Sequence, residues 1–209
     1  MPKKIKLKSA DEEFCLYLEK VQGDGLITLQ RRRNQMVILK RLCNEARRTL
    51  CQLRYKHVES RLSSLGIKLP PPGKPKANYN MFCWNGDLLF LSGHLPARID
   101  GGLVTGRLRN GHNIEVGIDA ARWCALNLIS TLKQELGDLD RVEQIVKILG
   151  IVQSTDDFKE HHLVMNGCSD TLMEVFGANV GYHARSAVGT NSLPLDCMCE
   201  VEAIVRVKR

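Results

Sequence analysis

The sequence predicts an α+β domain over residues 57–209, a single mixed sheet with two helices packed on one face, preceded by a basic, partly helical extension over residues 1–56. Three observations support this. Apolar residues step by 3 and 4 from Ile118 to Leu132 and from Met165 to Val175, the period of amphipathic helices. Apolar or alternating runs at 87–93, 142–152, 184–189 and 197–207 have the length or two-residue period of strands. Charge divides unevenly: residues 1–56 hold 14 Lys and Arg against 6 Asp and Glu, leaving 16 against 17 for the rest of the chain. Its overall charge of +7 therefore belongs to the extension, and the main domain needs no polyanionic partner to balance it.

Taken in order, residues 1–33 are polar, with Gly23 and Gly25 breaking any helix and Arg31, Arg32 and Arg33 closing the segment. From Asn34, the residues Met36, Leu39, Cys43, Ala46, Leu50 and Leu53 line one helix face, a pattern that runs to Leu65 with Gly66 as its C-cap. Pro70 to Lys76 forms a stiff connector. After an Asn85-Gly86 turn comes the strand Asp87–Gly93, then a weaker strand at 103–108. Asn113 precedes the first helix of the domain, which carries Ile118, Ala121, Ala125, Leu128 and Leu132 inward and ends at Gly137. The strand at 142–152 is apolar on both faces, with Ile145, Leu149 and Ile151 on one and Val146, Ile148 and Val152 on the other. Thr155 or Asp156 is the expected cap of the second helix, whose buried stripe is Met165, Cys168, Leu172 and Val175. Strands at 184–189 and 197–207 close the chain. Two helices cover one face of such a sheet, so the other face needs a cover of its own. A second copy of the chain is the simplest one.

No apolar run approaches the ~20 residues of a membrane-spanning helix. Met1 to Ser9 carries lysines with no apolar stretch behind them, which argues against a secretory signal and makes the eight cysteines reduced thiols of a cytoplasmic protein. A mitochondrial location is the alternative, opposed by the acidic Asp11, Glu12 and Glu13. Three roles are open to the extension: an amphipathic helix packing on its own domain or oligomer, a presequence, or a basic face for RNA, membrane or a protein partner. It lacks interleaved aromatic residues, which weakens the RNA version.

Several stretches resemble the RidA/YjgF-like reactive-intermediate deaminase family, also labelled endoribonuclease L-PSP-like. They are Gly86-Asp-Leu-Leu-Phe-Leu-Ser-Gly-His-Leu-Pro96, Ala120-Ala-Arg-Trp-Cys-Ala-Leu-Asn127 with Gly137-Asp-Leu-Asp-Arg-Val142, His183-Ala-Arg-Ser-Ala-Val188, Leu193-Pro194 and Glu200-Val-Glu-Ala-Ile204. The resemblance implies a chorismate-mutase-like fold, a homotrimer with ligand clefts between subunits, and hydrolysis of enamine or imine intermediates to 2-oxo acids and ammonia without metal or cofactor. It further implies Arg185 as carboxylate anchor, Glu200 as acid/base, and Tyr79, Ser92, Gly93, His94 and Ala187 as residues of the substrate pocket. His94 stands where family members commonly have glutamine, and Ala187 where many have cysteine. Asn166 falls about a helical turn from the position of the family's pocket asparagine and is left out of the expected site. The stretches around Asn166 to Asp170 and Gly181 to Arg185 mark a distinct branch.

The residue types suit that chemistry. A guanidinium binds a carboxylate through two parallel hydrogen bonds and stays charged. A glutamate can take a proton from water and give one to departing ammonia. Simpler roles compete: Arg185 and Glu200 as a salt bridge across neighbouring strands, Glu202 as an interface charge, Cys197 and Cys199 as core thiols, His161 and His162 as surface, Trp84 and Trp123 as packing. The class alternatives are a non-catalytic small-carboxylate-binding or regulatory trimer, or an RNA-acting endoribonuclease or translation inhibitor.

Overall fold

Helix α1 (Val58–Ser64) opens the described part of the chain, which in this computed structural model comprises residues 57–111 and 114–208, all within the unit Gln52–Arg209. The extension to residue 56, with the helix expected from Asn34, and Asn113 lie outside the described residues. His57 is extended, so α1 starts afresh at Val58, whose N–H is capped by Asp140 Oδ1 at 2.8 Å. Its other end follows the sequence: Gly66 takes a φ of 66°, and the N–H groups of Gly66 and Ile67 close back on the carbonyls of Ser63 and Leu62.

The sheet has five strands in the order β1-β2-β5-β3-β4: β1 (Phe82–Asn85), β2 (Leu88–His94), β3 (Val142–Gln153), β4 (Ala184–Thr190) and β5 (Cys199–Val207). Only β3 and β4 run parallel. The hairpin partner β1 was not expected; it is four residues long and mostly exposed, so burial leaves no alternation to read. The stretch 103–108 forms isolated bridges to Ala97, Cys197 and Ser154 rather than a strand.

Helix α2 (Glu115–Leu136) lies across one face. Gly137, with φ 72°, ends it. The expected second helix starts later than Thr155 or Asp156, because Thr155 still donates to the Leu108 carbonyl and Phe158 is buried in a turn. It is divided into a short α3 (His161–Val164) and α4 (Asn166–Phe176), followed by one turn, α5 (Ala178–Gly181). Met165, Cys168, Leu172 and Val175 are all buried, as their spacing requires. At Gly167 the two long helices touch: a Cβ there would lie 1.9 Å from the Ile118 carbonyl oxygen.

Alternation in β5 holds, with Cys199, Val201, Ala203, Val205 and Val207 buried under the helices. In β3 it fails at two points, the first a slip against β5 between Val142 and Gln144 and the second further along the strand. This second slip lies between Ile145 and Lys147, and the bulge turns both Ile145 and Ile148 to the helix side. Ile145 therefore does not share a face with Leu149 and Ile151. The described residues leave the opposite face uncovered: Phe90 and Val188 are 39% and 46% exposed. Among the described residues no helix is long and apolar enough to cross a membrane.

Candidate functional site

Directly opposed residues of a sheet share a face, so the register locates each predicted site residue. Ile148 opposes Ala203 on one side and Arg185 on the other, and Ala203 is buried beneath the helices. Arg185 therefore projects on the helix-bearing face, from the edge strand β4. Ile151 opposes Glu200, which projects on the uncovered face. Strand β3 separates β4 from β5, so the two residues are not on neighbouring strands, and among the described residues neither forms an ion pair. A cross-strand salt bridge between them is excluded within one protomer.

Arg185 is held by the start of α4 and the end of α3. Nη1–H groups donate to Asn166 Oδ1 and Ser169 Oγ, each at 3.0 Å, and Nη2–H donates to the His162 carbonyl at 3.0 Å. Asn166 and Ser169 sit one helical turn apart and reach the same group. Three of the five guanidinium donors are thus committed. The Nε–H and one Nη2–H have no partner among the described residues. Asn166 belongs to this site despite its displacement in the sequence. The break at Met165 between the two helices sets where α4 begins, and nothing in the helical period announces that break. Ser169 was also missed, whereas His183 opens the His183 to Val188 stretch that flanks the expected pocket.

His183 joins Ser169 Oγ through Nε2 at 3.0 Å and the Gly181 carbonyl through Nδ1 at 2.6 Å. Burial, with the Arg185 charge beside it, holds this imidazole below its ordinary range, against the Gly181 hydrogen bond that raises it. Ala187 lies two residues beyond Arg185 on the same face, opposite Gly150, and packs on the core.

On the uncovered face, the Glu200 side chain lies over the backbone of Gly93. Burial, and then repulsion from Glu202, raise its pKa above the ordinary carboxylate value. Ser92 anchors the adjoining segment, its Oγ donating to the Asn80 carbonyl at 2.7 Å. A shallow groove of about 530 Å³ runs along this face, lined in part by Asn80, Phe90, Ser92, Lys147 and Glu202. Tyr79 is 43% exposed, and its hydroxyl accepts from the Lys76 N–H at 3.4 Å. Both Ser92 and Gly93 thus lie with Glu200, away from Arg185.

His94 turns the other way. It is buried, Nδ1–H donating to the Ser92 carbonyl at 2.6 Å and Nε2 accepting from Thr131 on α2 at 2.8 Å. Burial depresses its pKa to about 4, so it is a neutral core residue whose side chain does not reach the groove.

The simpler roles sort out similarly. Cys197 and Cys199 are fully buried thiols. His162 is exposed, whereas His161 is bonded to Ser154 Oγ at 2.9 Å. Trp84 is 39% exposed and donates to Glu135 at 2.9 Å, while Trp123 packs against the core. Glu59, Asp138 and Asp140 bring carboxylate oxygens within 4.8 Å of one another. These oxygens already serve Lys133, Leu139, Asp140, Val58 and His57. The cluster ties α1 to the turn after α2.

Known proteins agree with this architecture. The Trypanosoma cruzi protein TCP17 is 43% identical over 150 residues, 72% of this chain and 94% of its own length. The Agrobacterium tumefaciens protein Atu1372, of unknown function, superimposes with a TM-score of 0.66 at 39% identity, covering 73% of this chain and 95% of that one. A Shewanella oneidensis protein described as a "putative endoribonuclease" superimposes with a TM-score of 0.68 at 31% identity, covering 72% and 99%. The family model for "YjgF/chorismate_mutase-like, putative endoribonuclease" proteins matches residues 59–207, and the chain belongs to that family.

Proposed function

We propose that the protein hydrolyses reactive enamine and imine intermediates of the 2-aminoacrylate type to 2-oxo acids and ammonia, in clefts shared between the subunits of a homotrimer. Arg185 of one subunit holds the substrate carboxylate on its two uncommitted N–H donors. Glu200 of a neighbouring subunit faces the same cleft and handles water and protons. The observation that supports this most is the placement of Arg185 and Glu200 on opposite faces of one sheet, each polar, half-buried and without an ion-pair partner among the described residues. No single protomer unites them; a neighbour whose uncovered face packs near the β4 edge would.

The chemistry balances with these residues alone. The enamine carbon takes a proton from solvent and the amino nitrogen gives one back, which converts the enamine to the tautomeric 2-imino acid. Glu200 as carboxylate removes a proton from water while the water oxygen bonds to C2 and the C=N electrons move to nitrogen. The protonated Glu200 returns that proton to nitrogen to give the carbinolamine; the carboxylate then takes the hydroxyl proton as the C=O bond forms and delivers it to nitrogen, the C–N bond breaks, and ammonia leaves the 2-oxo acid behind. A glutamate with a raised pKa suits both halves, since it exchanges protons nearer neutral pH than an ordinary carboxyl.

The test is release of ammonia and 2-oxo acid from freshly generated 2-aminoacrylate and bulkier imino acids, comparing wild type with Arg185→Ala. Turnover by the wild type, lost in a folded variant, is the expected result. Full activity in Arg185→Ala removes the anchor assignment. A folded wild type without turnover favours instead a binding module that senses small carboxylates in the same cleft.

A further inference from the structure

We propose that Ser169 and His183 form a positioning pair that fixes the Arg185 guanidinium in the orientation that receives a small carboxylate; this rests on the anchoring role proposed for Arg185. The polarity of the hydrogen bonds supports it. A backbone carbonyl only accepts, so His183 Nδ1, 2.6 Å from the Gly181 carbonyl, carries the ring proton. In the neutral imidazole Nε2 is then an acceptor, and Ser169 gives it the hydroxyl hydrogen across 3.0 Å. That leaves lone pairs of Ser169 Oγ to receive Arg185 Nη1–H, also across 3.0 Å. Every donor in the sequence Arg185, Ser169, His183, Gly181 points the same way.

The pair ties together two separate elements. Ser169 comes from α4, while His183 and Arg185 come from the chain entering β4. With Asn166 on the same nitrogen and the His162 carbonyl on Nη2, the guanidinium plane is fixed from three sides. Its remaining donors, Nε–H and one Nη2–H, are then presented without rotational search.

Protonation of His183 would reverse one link. Nε2 would become a donor, Ser169 Oγ would face two cationic donors, and its own hydrogen would lose its acceptor. The groups that meet His183 are Ser169 from α4, the Gly181 carbonyl at the end of α5 and Arg185 on β4. Arg185 is the charge among them, and it opposes the imidazolium. The pair is therefore intact at neutral pH and broken on acidification.

Calorimetric titration of the full-length oligomer with 2-oxobutanoate tests this without requiring turnover. Arg185→Ala should abolish binding. Ser169→Ala should raise Kd about tenfold, the loss of one hydrogen bond to a charged group, and Ser169→Thr, which keeps the hydroxyl, should stay within about twofold of wild type. His183→Gln keeps an acceptor, so it should bind normally at neutral pH and lack the loss of affinity that wild type shows on acidification. Should Ser169→Ala fail to fold, the threonine and glutamine variants still decide. Wild-type affinity that is flat or rises on acidification, or wild-type binding by Ser169→Ala, overturns the pair while leaving the anchor in place. Wild-type binding by Arg185→Ala overturns the anchor as well.

Discussion

Glu200 lies against Gly93 so closely that a Cβ at position 93 would sit 1.6 Å from its Oε1 atom. Gly93 is not among the glycines with positive φ, so space and not backbone conformation demands glycine here. The absent side chain is what lets the carboxylate fold down onto β2 beside the groove. Gly93→Ala should leave the backbone in place and push Glu200 aside by an ångström or more. Misplacement on that scale costs on the order of a hundredfold in kcat. A steady-state comparison with wild type checks this, and an unchanged kcat would detach Glu200 from the chemistry.

Glu202 lies two residues along the same face and helps raise the Glu200 pKa. If Glu200 must be ionised to take a proton from water, the rate should rise through that pKa on the acidic side. Glu202→Gln removes the repulsion and should shift this limb to lower pH, leaving the plateau close to wild type. A pH–rate profile of both proteins measures the shift. A limb that stays put or moves upward would assign it to another group.

His94 makes a prediction about stability. Its folded pKa is about 4 against an ordinary 6.5, so the neutral ring is favoured by folding. The contribution is fully present above pH 6.5 and is lost as pH falls through about 4, a difference of roughly 3 kcal/mol. His94→Gln can still accept from Thr131 and donate to the Ser92 carbonyl, and it has nothing to protonate. Urea unfolding between pH 7 and 4 should show wild type losing stability steeply and the variant less so. Equal slopes would remove His94 from the acid response.

Much of this was legible in the sequence. The alternation of β5 survives because that strand buries one continuous face, and the helix stripe survives from Ala121 to Leu132, although α2 is buried all round from Cys124 to Leu132 and Ile118 is only partly buried. What escaped involves one-residue or one-turn offsets that periodicity cannot register. Val146 occupies the second slip in β3 and moves Ile145 to the helix side, while the break at Met165 resets the phase of α4 and brings Asn166 to Arg185. His94 was misplaced for a different reason. It directly follows Ser92 and Gly93, which lie on the face of Glu200, but the register between β2 and β5 slips between Leu91 and His94, and the ring turns inward to Thr131. The separation of Arg185 and Glu200 required the strand order, which inserts β3 between them.

Subunit complementation tests most directly whether the site is shared. Arg185→Ala and Glu200→Gln should each be inactive alone. Unfolded together, mixed in equal amounts and reassembled, they place an intact Arg185 and an intact Glu200 in the same cleft at about a quarter of the sites of a random head-to-tail trimer. Imine hydrolysis should therefore return to roughly a quarter of the wild-type rate. Mixed oligomers that form and remain inactive would contradict a cleft built by Arg185 of one subunit and Glu200 of its neighbour.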